Sequence, residues 1–359
     1  MNIKYVLCLA AIIIILITSC SKSPSNKSDS GPKTTDTTTL PNNHAPDIYL
    51  TGAINGPTNK QTATYWKNGA ATVLSSAETD GLSIAVSGKD VYVAGIRAAT
   101  NSNVVVVLWK NGILTDISDS SQFATSRGMV MLGNDVYIAG YKFVPGSTKG
   151  ILWKNGVEQD LSSIGNENVY PQGISVNGSD IYITGYTTSD SGTPDENAIY
   201  WKNGIETKLP LGDFTTSIAS SICASGADIY VAGYGVDKVT GFNVAVYWKN
   251  GVEYKLGDIK SDTFSAAIAV QGTNVYVAGT VSDASGVSTA VLWKNGVLSK
   301  LGDGSLNSYC TAMGFDGNDL YIAGHNHYGA VVWKNGVAQQ ITTDNSSNSA
   351  ISSLVLVPK

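Results

Sequence analysis

Charged side chains are scarce in this 359-residue sequence: Asp, Glu, Lys and Arg make up 14% of it, against about 25% in an ordinary soluble domain. The formal net charge is −5, so no basic surface exists to neutralise phosphates, and we expect no nucleic-acid binding. Four cysteines are too few for a disulfide scaffold at this length. After residue 46 no stretch has the 3.6-residue apolar period of a helix, which excludes a coiled coil and favours an all-β fold.

Long hydrophobic runs are also absent, apart from one near the start. Tyr5 to Ile17 is an apolar run of thirteen residues that follows Lys4. Thirteen helical residues span about 20 Å, whereas the hydrocarbon core of a membrane is about 30 Å thick. We therefore predict a cleaved signal peptide over residues 1–19 and no membrane-spanning helix here.

The end of this run, Ile17-Thr18-Ser19-Cys20, resembles the lipobox of bacterial lipoproteins. The resemblance implies a lipid on the Cys20 thiol, cleavage before Cys20 and acylation of the new amino group; an ordinary cleaved signal is the alternative. Two or more acyl chains would anchor the chain stably to a membrane. Ser21 stands where Asp would signal retention at the inner membrane, so the resemblance favours the outer membrane of a Gram-negative bacterium, on either face.

Residues 20–46 form the next segment, the predicted lipidated Cys20 and a linker. Besides Ala45, residues 21–46 contain a single aliphatic side chain, Leu40. Such a composition cannot bury enough apolar surface to offset the entropy of ordering, so we predict a solvated linker.

The rest of the chain repeats one unit. The segment Trp-Lys-Asn-Gly occurs seven times, at intervals of 40 to 48 residues, which is the period of a four-stranded propeller blade. Its copies begin at Trp66, Trp109, Trp153, Trp201, Trp248, Trp293 and Trp333. A second motif, Asp/Asn-aliphatic-Tyr-aliphatic-Ala/Thr-Gly, also occurs seven times. Its copies begin at Asp47, Asp90, Asp135, Asp180, Asp228, Asn274 and Asp319.

Each unit reads as four strands, A to D. In the second copy, 83–86 alternates small and large residues, 91–95 is β-branched and aromatic, and 104–109 and 113–117 flank an Asn-Gly hairpin signal. The first copy lacks an A strand, whereas the chain ends in an apolar segment, 351–357, beyond the seventh copy. We therefore predict a single seven-bladed β-propeller over residues 47–359, closed when the C-terminal strand completes the first blade.

The run Ala290-Val-Leu-Trp-Lys-Asn-Gly-Val-Leu-Ser-Lys-Leu-Gly302 resembles the HAF type of bacterial extracellular repeat. Ser288-Thr-Ala stands where that family has its His-Ala-Phe signature, and the Trp-Asp pair of WD repeats is absent. The resemblance implies a propeller and no particular activity.

Binding specificity is expected on the face formed by the B–C and D–A connections, because these vary between copies whereas the A–B and C–D turns do not. The candidate ligand-binding residues on this face are Tyr141, Phe143, Tyr170, Tyr186, Tyr234, Tyr309, His325, His327 and Tyr328. Aromatic surfaces of this kind suit sugar faces or a protein partner, although several of these side chains could instead cover blade edges.

Other repeated residues are expected to stabilise the fold rather than to bind a ligand. The repeated Trp and Tyr indicate packing between blades, and the repeated Asp a turn residue. His325 and His327 lack a third ligand, so we predict no metal and no cofactor; Asp283-Ala-Ser-Gly and Asp316-Gly-Asn-Asp lack the spacing of calcium loops. Cys223 and Cys310 lie two blades apart and are expected to be free thiols.

Three hypotheses for function follow. The first is a lipid-anchored envelope protein, monomeric and not an enzyme, that binds a glycan or an envelope protein. The second is an envelope hydrolase or lyase with its site at the channel mouth, using carboxylates of the D–A loops such as Asp80, Asp213, Asp262 and Asp303. The third is a structural subunit of an envelope assembly.

Overall fold

The structure, a computed structural model, describes residues 45–55, 60–100, 103–161, 168–189, 195–257, 260–342 and 349–359. These residues form 28 β-strands and no helix. The predicted signal peptide, Cys20 and nearly all of the linker lie outside the described residues. The first eleven strands are β1 (Asp47–Asn55), β2 (Gln61–Lys67), β3 (Ala70–Val73), β4 (Thr79–Ser87), β5 (Asp90–Ala98), β6 (Val104–Lys110), β7 (Ile113–Asp116), β8 (Ala124–Leu132), β9 (Asp135–Val144), β10 (Ser147–Lys154) and β11 (Val157–Leu161). The next eight are β12 (Asn168–Asn177), β13 (Asp180–Thr188), β14 (Asn197–Lys202), β15 (Ile205–Lys208), β16 (Phe214–Ser225), β17 (Asp228–Asp237), β18 (Asn243–Lys249) and β19 (Val252–Lys255). The last nine are β20 (Thr263–Gln271), β21 (Asn274–Ser282), β22 (Ser288–Lys294), β23 (Val297–Lys300), β24 (Ser308–Asp316), β25 (Asp319–Asn326), β26 (Gly329–Lys334), β27 (Val337–Gln340) and β28 (Ser349–Val357).

The strands form seven antiparallel four-stranded sheets, each in the order A-B-C-D, which confirms the predicted seven-bladed propeller. Blades 2 to 7 consist of consecutive strands, from β4–β7 to β24–β27. Blade 1 has the order β28-β1-β2-β3, so its A strand comes from the C-terminus. Asp47 pairs with Val357 and Ile54 with Ser349 along this closing ladder. The predicted closure is therefore present.

The C–D hairpins adopt the predicted turn. All seven Asn residues of the Trp-Lys-Asn-Gly copies have φ between 49° and 51°, and the following glycines have φ between 80° and 85°. Two consecutive positive φ values characterise the type I′ turn, whose twist matches that of the flanking strands. Asn and Gly are the residues that tolerate this conformation, which explains the repeated pair.

The hydrophobic core lies between blades. Each of the seven tryptophans is at most 1% exposed. Trp153 of blade 3, for example, shares one apolar cluster with Ile138 and Ile151 of its own blade and with Ala94 and Val106 of blade 2. Since each blade buries a sheet face against its neighbour, the low charge content of the chain follows from the architecture.

A repeated polar network ties each C–D turn to strand B. In blade 2, Asn111 Oδ1 accepts a hydrogen bond from the Val91 N–H at 2.9 Å, and Asn111 Nδ2 donates to Asp90 at 2.8 Å. Lys110 forms an ion pair with Asp90 at 2.9 Å and lies 5.1 Å from the centroid of the Tyr92 ring. We call this arrangement the turn network.

The turn network recurs in every blade. The amide of the turn Asn donates to the residue that opens strand B at 2.7–2.9 Å in all seven copies. The turn Lys lies over the strand-B Tyr ring in all seven as well. In blade 6 the first residue is Asn274 rather than Asp, so an amide oxygen replaces the carboxylate there. The repeated Asp is therefore a structural turn residue, as the sequence predicted.

A β-bulge interrupts every A strand, a feature that the sequence did not predict. At each bulge one A-strand residue has no partner in the A–B register, and β16 has a second irregularity between Phe214 and Ser217. These seven bulge residues are Ser352, Leu82, Arg127, Gln172, Ser220, Ala266 and Thr311, in blade order. The bulge explains the glycine that follows Ala or Thr on strand B: a Cβ there would lie 1.8–2.3 Å from an A-strand carbonyl oxygen.

We expect Gly140→Ala to destabilise the propeller by about 3 kcal/mol, near the upper end of the usual cost of overpacking. A Cβ on Gly140 would lie 2.0 Å from the Thr125 carbonyl oxygen, and backbone must move to make room. Gly314→Ala is the control, because its Cβ would meet only Leu356 Cδ1, at the ordinary contact distance of 3.5 Å. Urea unfolding of both variants measures the difference. Equal midpoints would show that the bulge does not require glycine.

Candidate functional site

The bulges divide each A strand into two parts. Strand A is the innermost strand, and a cavity of about 530 Å³ is lined by the A-strand residues that follow the bulges, such as Ile174, Ser221, Ile268 and Met313. This cavity extends toward the A–B turns. On the other side of the bulges lie the D–A and B–C connections, and we call this end of the channel the mouth. The sequence did not predict the cavity, which does not coincide with the predicted site.

Each blade contributes one equivalent strand-B position at the mouth end, and five of the seven side chains there are buried. This position is the strand-B residue after the close-packed glycine, opposite the start of strand A. From blade 1 to blade 7 it holds Ala53, Ile96, Tyr141, Tyr186, Tyr234, Thr280 and His325. The seven blades share their core and turn residues, yet they differ here, and blades 3 to 5 all carry tyrosine.

Aromatic rings from blades 3 and 4 form a continuous row. Phe123 stacks on Phe143 at 4.7 Å between centroids, and Phe143 lies 5.8 Å from Tyr141. Tyr141 meets Tyr170 edge-on at 5.2 Å, and Tyr170 stacks on Tyr186 at 4.8 Å. The structure therefore brings four of the predicted residues together. Tyr141, Phe143 and Tyr186 lie on strands β9 and β13 rather than in loops, because these B strands extend past the predicted ends.

Tyr234 is the equivalent tyrosine of blade 5. Its ring packs edge-on against Phe264 of blade 6 at 4.9 Å, so the ring itself is covered and 9% exposed. Tyr141 is covered to a similar degree, whereas Phe143 is 43% exposed. Both outcomes expected from the sequence therefore occur: some of these rings pack between blades and others remain accessible.

The hydroxyl groups of the row differ in their partners. Tyr141 Oη accepts a hydrogen bond from Arg127 Nη2 at 3.2 Å, and Tyr170 Oη shares one with Thr148 Oγ1 at 3.1 Å. Among the described residues, neither the Tyr186 nor the Tyr234 hydroxyl has a protein partner, and neither is a buried unpaired atom. Both hydroxyls are therefore open to solvent or a ligand.

Three polar bulge residues accompany the three tyrosines. Arg127, Gln172 and Ser220 are the bulge residues of blades 3, 4 and 5. The Arg127 guanidinium carbon lies 5.5 Å from the centroid of the Tyr141 ring, which shows that the bulge side chain reaches the mouth position of the same blade. The corresponding pair in blade 2, Leu82 and Ile96, belongs to one apolar cluster instead.

Glu196, at the start of the C strand of blade 4, completes the polar groups around the row. Burial raises the pKa of this carboxyl, while a hydrogen bond with Thr216 opposes the shift. Burial also raises the pKa of Tyr186 and of Tyr234, and the negative charge of Glu196 raises both further. Glu196 therefore lies within electrostatic range of both open hydroxyls. From the sequence alone, nothing places this carboxylate near the tyrosines.

The two histidines of blade 7 lie in different environments, one with a buried ring nitrogen and one in a turn. The His325 ring stacks on Tyr309 at 4.9 Å, its Nδ1 is buried without a hydrogen-bond partner, and burial lowers its pKa to about 4. His327 lies in the β25–β26 turn, where it packs edge-on against the 54% exposed Tyr328 at 5.5 Å. In the described ranges no group of three or more His, Cys, Asp or Glu side chains is placed to hold a metal.

The acidic side chains of the connecting loops also have local partners. Asp283 Oδ1 accepts hydrogen bonds from Ser285 and Val287, which makes its loop a self-contained turn. Asp195 accepts two from the Ser189 backbone N–H, whereas Asp190 lies outside the described residues. Three of the D–A carboxylates are also engaged, Asp213 by Lys255, Asp262 by Asn243 and Asp303 by Ser305.

Two cysteines lie in the described part of the chain, and both are free thiols. Cys223 lines the 530 Å³ cavity, and burial raises its pKa to about 12, as it does for the fully buried Cys310. Neither thiol is therefore an activated nucleophile. The described residues also provide no helix of the length and apolarity needed to cross a bilayer.

The fourth D–A carboxylate, Asp80, differs from these three because it is buried. It lies opposite Ile96 on strand A of blade 2 and is 4% exposed. Burial raises its pKa to about 7, and the Gly81 N–H only partly opposes this shift. The equivalent position in blade 4 holds Tyr170. In blade 2, by contrast, a buried carboxyl lies opposite the aliphatic residue Ile96.

We expect Asp80 to make stability fall as pH rises. Its pKa is near 3.8 when unfolded and about 7 when folded, so between these values only the folded state holds the proton. The free energy of unfolding should drop by up to about 1.4 kcal/mol per pH unit in this window and level off above it. Asp80→Asn should remove that slope. Urea unfolding of wild type and variant at pH 5.0, 6.0, 7.0 and 8.0 measures it; parallel curves would contradict the assignment.

Comparison with known proteins identifies a fold. The sequence matches no protein-family profile. No curated protein sequence matches it either. Among solved structures, the chain is similar to Pyrococcus horikoshii acylaminoacyl peptidase, with 16% identity, a TM-score of 0.52, and coverage of 84% of this chain and 51% of that one. It is also similar to an acylaminoacyl peptidase in complex with Z-Gly-Gly-Phe-chloromethyl ketone, with 15% identity, a TM-score of 0.53, and coverage of 84% of this chain and 51% of that one.

A third similar structure is the β-propeller domain of the Trilobed protease from Pyrococcus furiosus, with 13% identity, a TM-score of 0.52, and coverage of 82% of this chain and 94% of that one. That domain is described as having an open velcro topology, whereas β28 closes blade 1 here. This chain spans about half the length of the two peptidases, and at these identities the likeness shows the propeller fold alone.

Proposed function

We propose that this protein is a non-catalytic binding module whose ligand, a glycan or an envelope protein, docks at the channel mouth over blades 3 to 5. The observation that carries the proposal is the break in repeat symmetry at one register position. Small or aliphatic side chains satisfy the fold at this position, as Ala53 and Ile96 do in blades 1 and 2. Blades 3 to 5 instead carry tyrosine here, in blades whose bulge residues are all polar, and the fold does not require this combination.

The geometry also bears on the alternatives. A hydrolase or lyase needs an acid and a base within reach of one substrate bond. Asp213, Asp262 and Asp303 are engaged by neighbours, and Asp80 faces an aliphatic side chain across the ladder. Two tyrosine hydroxyls without a protein partner, one of them on a ring of the stacked row, are features of a recognition surface, so we favour binding over catalysis.

We further propose that the module is an extracytoplasmic lipoprotein of the cell envelope, anchored through Cys20, on the outer membrane of a Gram-negative bacterium. The support is the Ile17-Thr18-Ser19-Cys20 sequence at the end of an apolar run, followed by the polar segment 21–46. Relationship to the HAF-type repeats is part of the same proposal and rests on the run 290–302.

Labelled palmitate tests the anchor. We expect the label to enter the wild-type protein expressed in a Gram-negative host and to be absent from Cys20→Ala. Cys8→Ala, within the apolar run, is the matched control and should keep the label. Equal labelling of wild type and Cys20→Ala would contradict the proposed lipidation site.

An array of oligosaccharides and peptides tests the binding face. We expect the detergent-extracted wild-type protein to bind a subset of the array and Tyr186→Ala to lose at least tenfold in affinity for that subset. Tyr254→Ala is the matched control, since Tyr254 also belongs to a stacked pair, with Tyr247 at 4.7 Å, but lies on the outermost strand of blade 5. Thermal unfolding confirms that both variants fold. Loss of binding in Tyr254→Ala with retention in Tyr186→Ala would place the site elsewhere.

A further inference from the structure

The mouth of blades 3 to 5 offers hydrogen-bonding groups in a repeated arrangement. In each of these blades the polar bulge residue lies two positions along strand A from the ladder partner of a tyrosine: Arg127 for Tyr141, Gln172 for Tyr186, and Ser220 for Tyr234. Consecutive blades of a propeller are related by rotation about the channel axis, so the three pairs follow one another along an arc. A ligand with a repeating unit matches such an arrangement better than a single small molecule does.

The pairs differ in how much of their hydrogen-bonding capacity remains free. Arg127 and Tyr141 bond to each other. Within the described residues, the side chains of Gln172, Ser220, Tyr186 and Tyr234 make no hydrogen bond to protein. An amide and three hydroxyls therefore point to a ligand rich in groups that both donate and accept.

The charged side chains around the arc include both signs. Arg127 lies at its blade 3 end and Glu196 near Tyr186 and Tyr234. Lys142 and Glu158, also in blade 3, form an ion pair with each other. Arg127 and Glu196 carry opposite charges and lie at the margins, whereas the groups without a protein partner are an amide and hydroxyls, so the arc has no excess of one charge that would select an ion.

The stacked rings provide the apolar part of the surface. Tyr170 and Tyr186 lie nearly parallel, with 12° between their planes, next to the open hydroxyl of Tyr186. The two rings cover each other's facing sides and both side chains are half-buried, so a pyranose would pack its C–H groups against the parts of the pair that remain exposed while its hydroxyls reach the polar groups.

We infer that the ligand of the mouth is a neutral oligosaccharide, held along the arc by Gln172, Tyr186, Ser220 and Tyr234 with Arg127 and Glu196 at its margins. This inference rests on the proposed binding function and specifies its ligand class. The sugar hydroxyls exchange hydrogen bonds with the amide and the tyrosine and serine hydroxyls, and no net charge is neutralised on binding.

Calorimetric titration of the detergent-extracted protein tests this inference with three sets of probes. The first is neutral hexose oligosaccharides of four to six units with α-1,4, β-1,3, β-1,4 and α-1,6 linkages. The second is oligogalacturonates of the same length, and the third a peptide library. We expect at least one neutral oligosaccharide to bind, with an affinity that changes less than twofold between 50 and 500 mM NaCl, because no ion pair is formed with the ligand.

Single-atom variants locate the hydrogen bonds. Tyr186→Phe and Tyr234→Phe each remove one hydroxyl that has no protein partner, so we expect unchanged melting temperatures and a threefold to tenfold loss of oligosaccharide affinity, which corresponds to about 0.7–1.4 kcal/mol. Tyr254→Phe, on the outer strand of blade 5, is the matched control and should bind like wild type.

The outcomes separate the two proposals. Binding of oligogalacturonate or peptide alone, with loss in Tyr186→Ala, would overturn the neutral-glycan inference and leave the binding face in place. Neutral oligosaccharide binding that is unchanged in Tyr186→Phe, Tyr234→Phe and Tyr186→Ala would overturn both. Absence of binding by any neutral oligosaccharide at millimolar concentration would overturn the inference as well.

Discussion

The turn asparagine holds each blade in shape. Its left-handed backbone makes the C–D hairpin, and its side chain is at the same time donor and acceptor to the opening of strand B. One residue thereby fixes three of the four strands relative to one another. The adjacent Lys adds an ion pair with Asp in six blades and a cation–π contact with Tyr in all seven. This shared dependence explains why two sequence motifs some twenty residues apart recur together.

Whereas the turn asparagine fixes the strands of a blade, the bulge releases one side chain from the regular pairing of strands A and B. At each A strand one residue leaves the ladder, and the strand-B glycine exists to make space for the displaced backbone. The fold therefore requires glycine opposite the bulge but sets no chemistry for the bulge residue itself, which ranges from Leu82 to Arg127. Stability and recognition are assigned to different positions of the same strand pair, so the mouth can vary from blade to blade while the scaffold stays constant.

Much of the fold could be predicted because its determinants are local and repeated. Asn-Gly turns, the β-rich strands and the missing first A strand define the blade and its closure from sequence alone. The residues of the mouth could be predicted only in part. The tyrosines were recognised, but Arg127, Gln172 and Ser220 were not, because a bulge shifts a residue off the period-two alternation by which strand faces are read. The available signal for the bulge was the glycine that follows Ala or Thr in every strand B. Its repetition indicates that a larger side chain would clash at this position. The burial of Asp80 arises from packing between blades and has no local signature.

Closure by the C-terminal strand also fixes where the propeller meets the rest of the chain. Asp47 opens β1 beside the C–D turn residue Asn68, and Lys359 forms an ion pair with it at 3.4 Å. Entry and exit of the chain thus share the face of the tight turns, at the opposite end of the channel from the tyrosine arc. The lipid anchor proposed at Cys20 would therefore join the propeller on the face of the tight turns, which leaves the tyrosine arc on the face that carries no attachment.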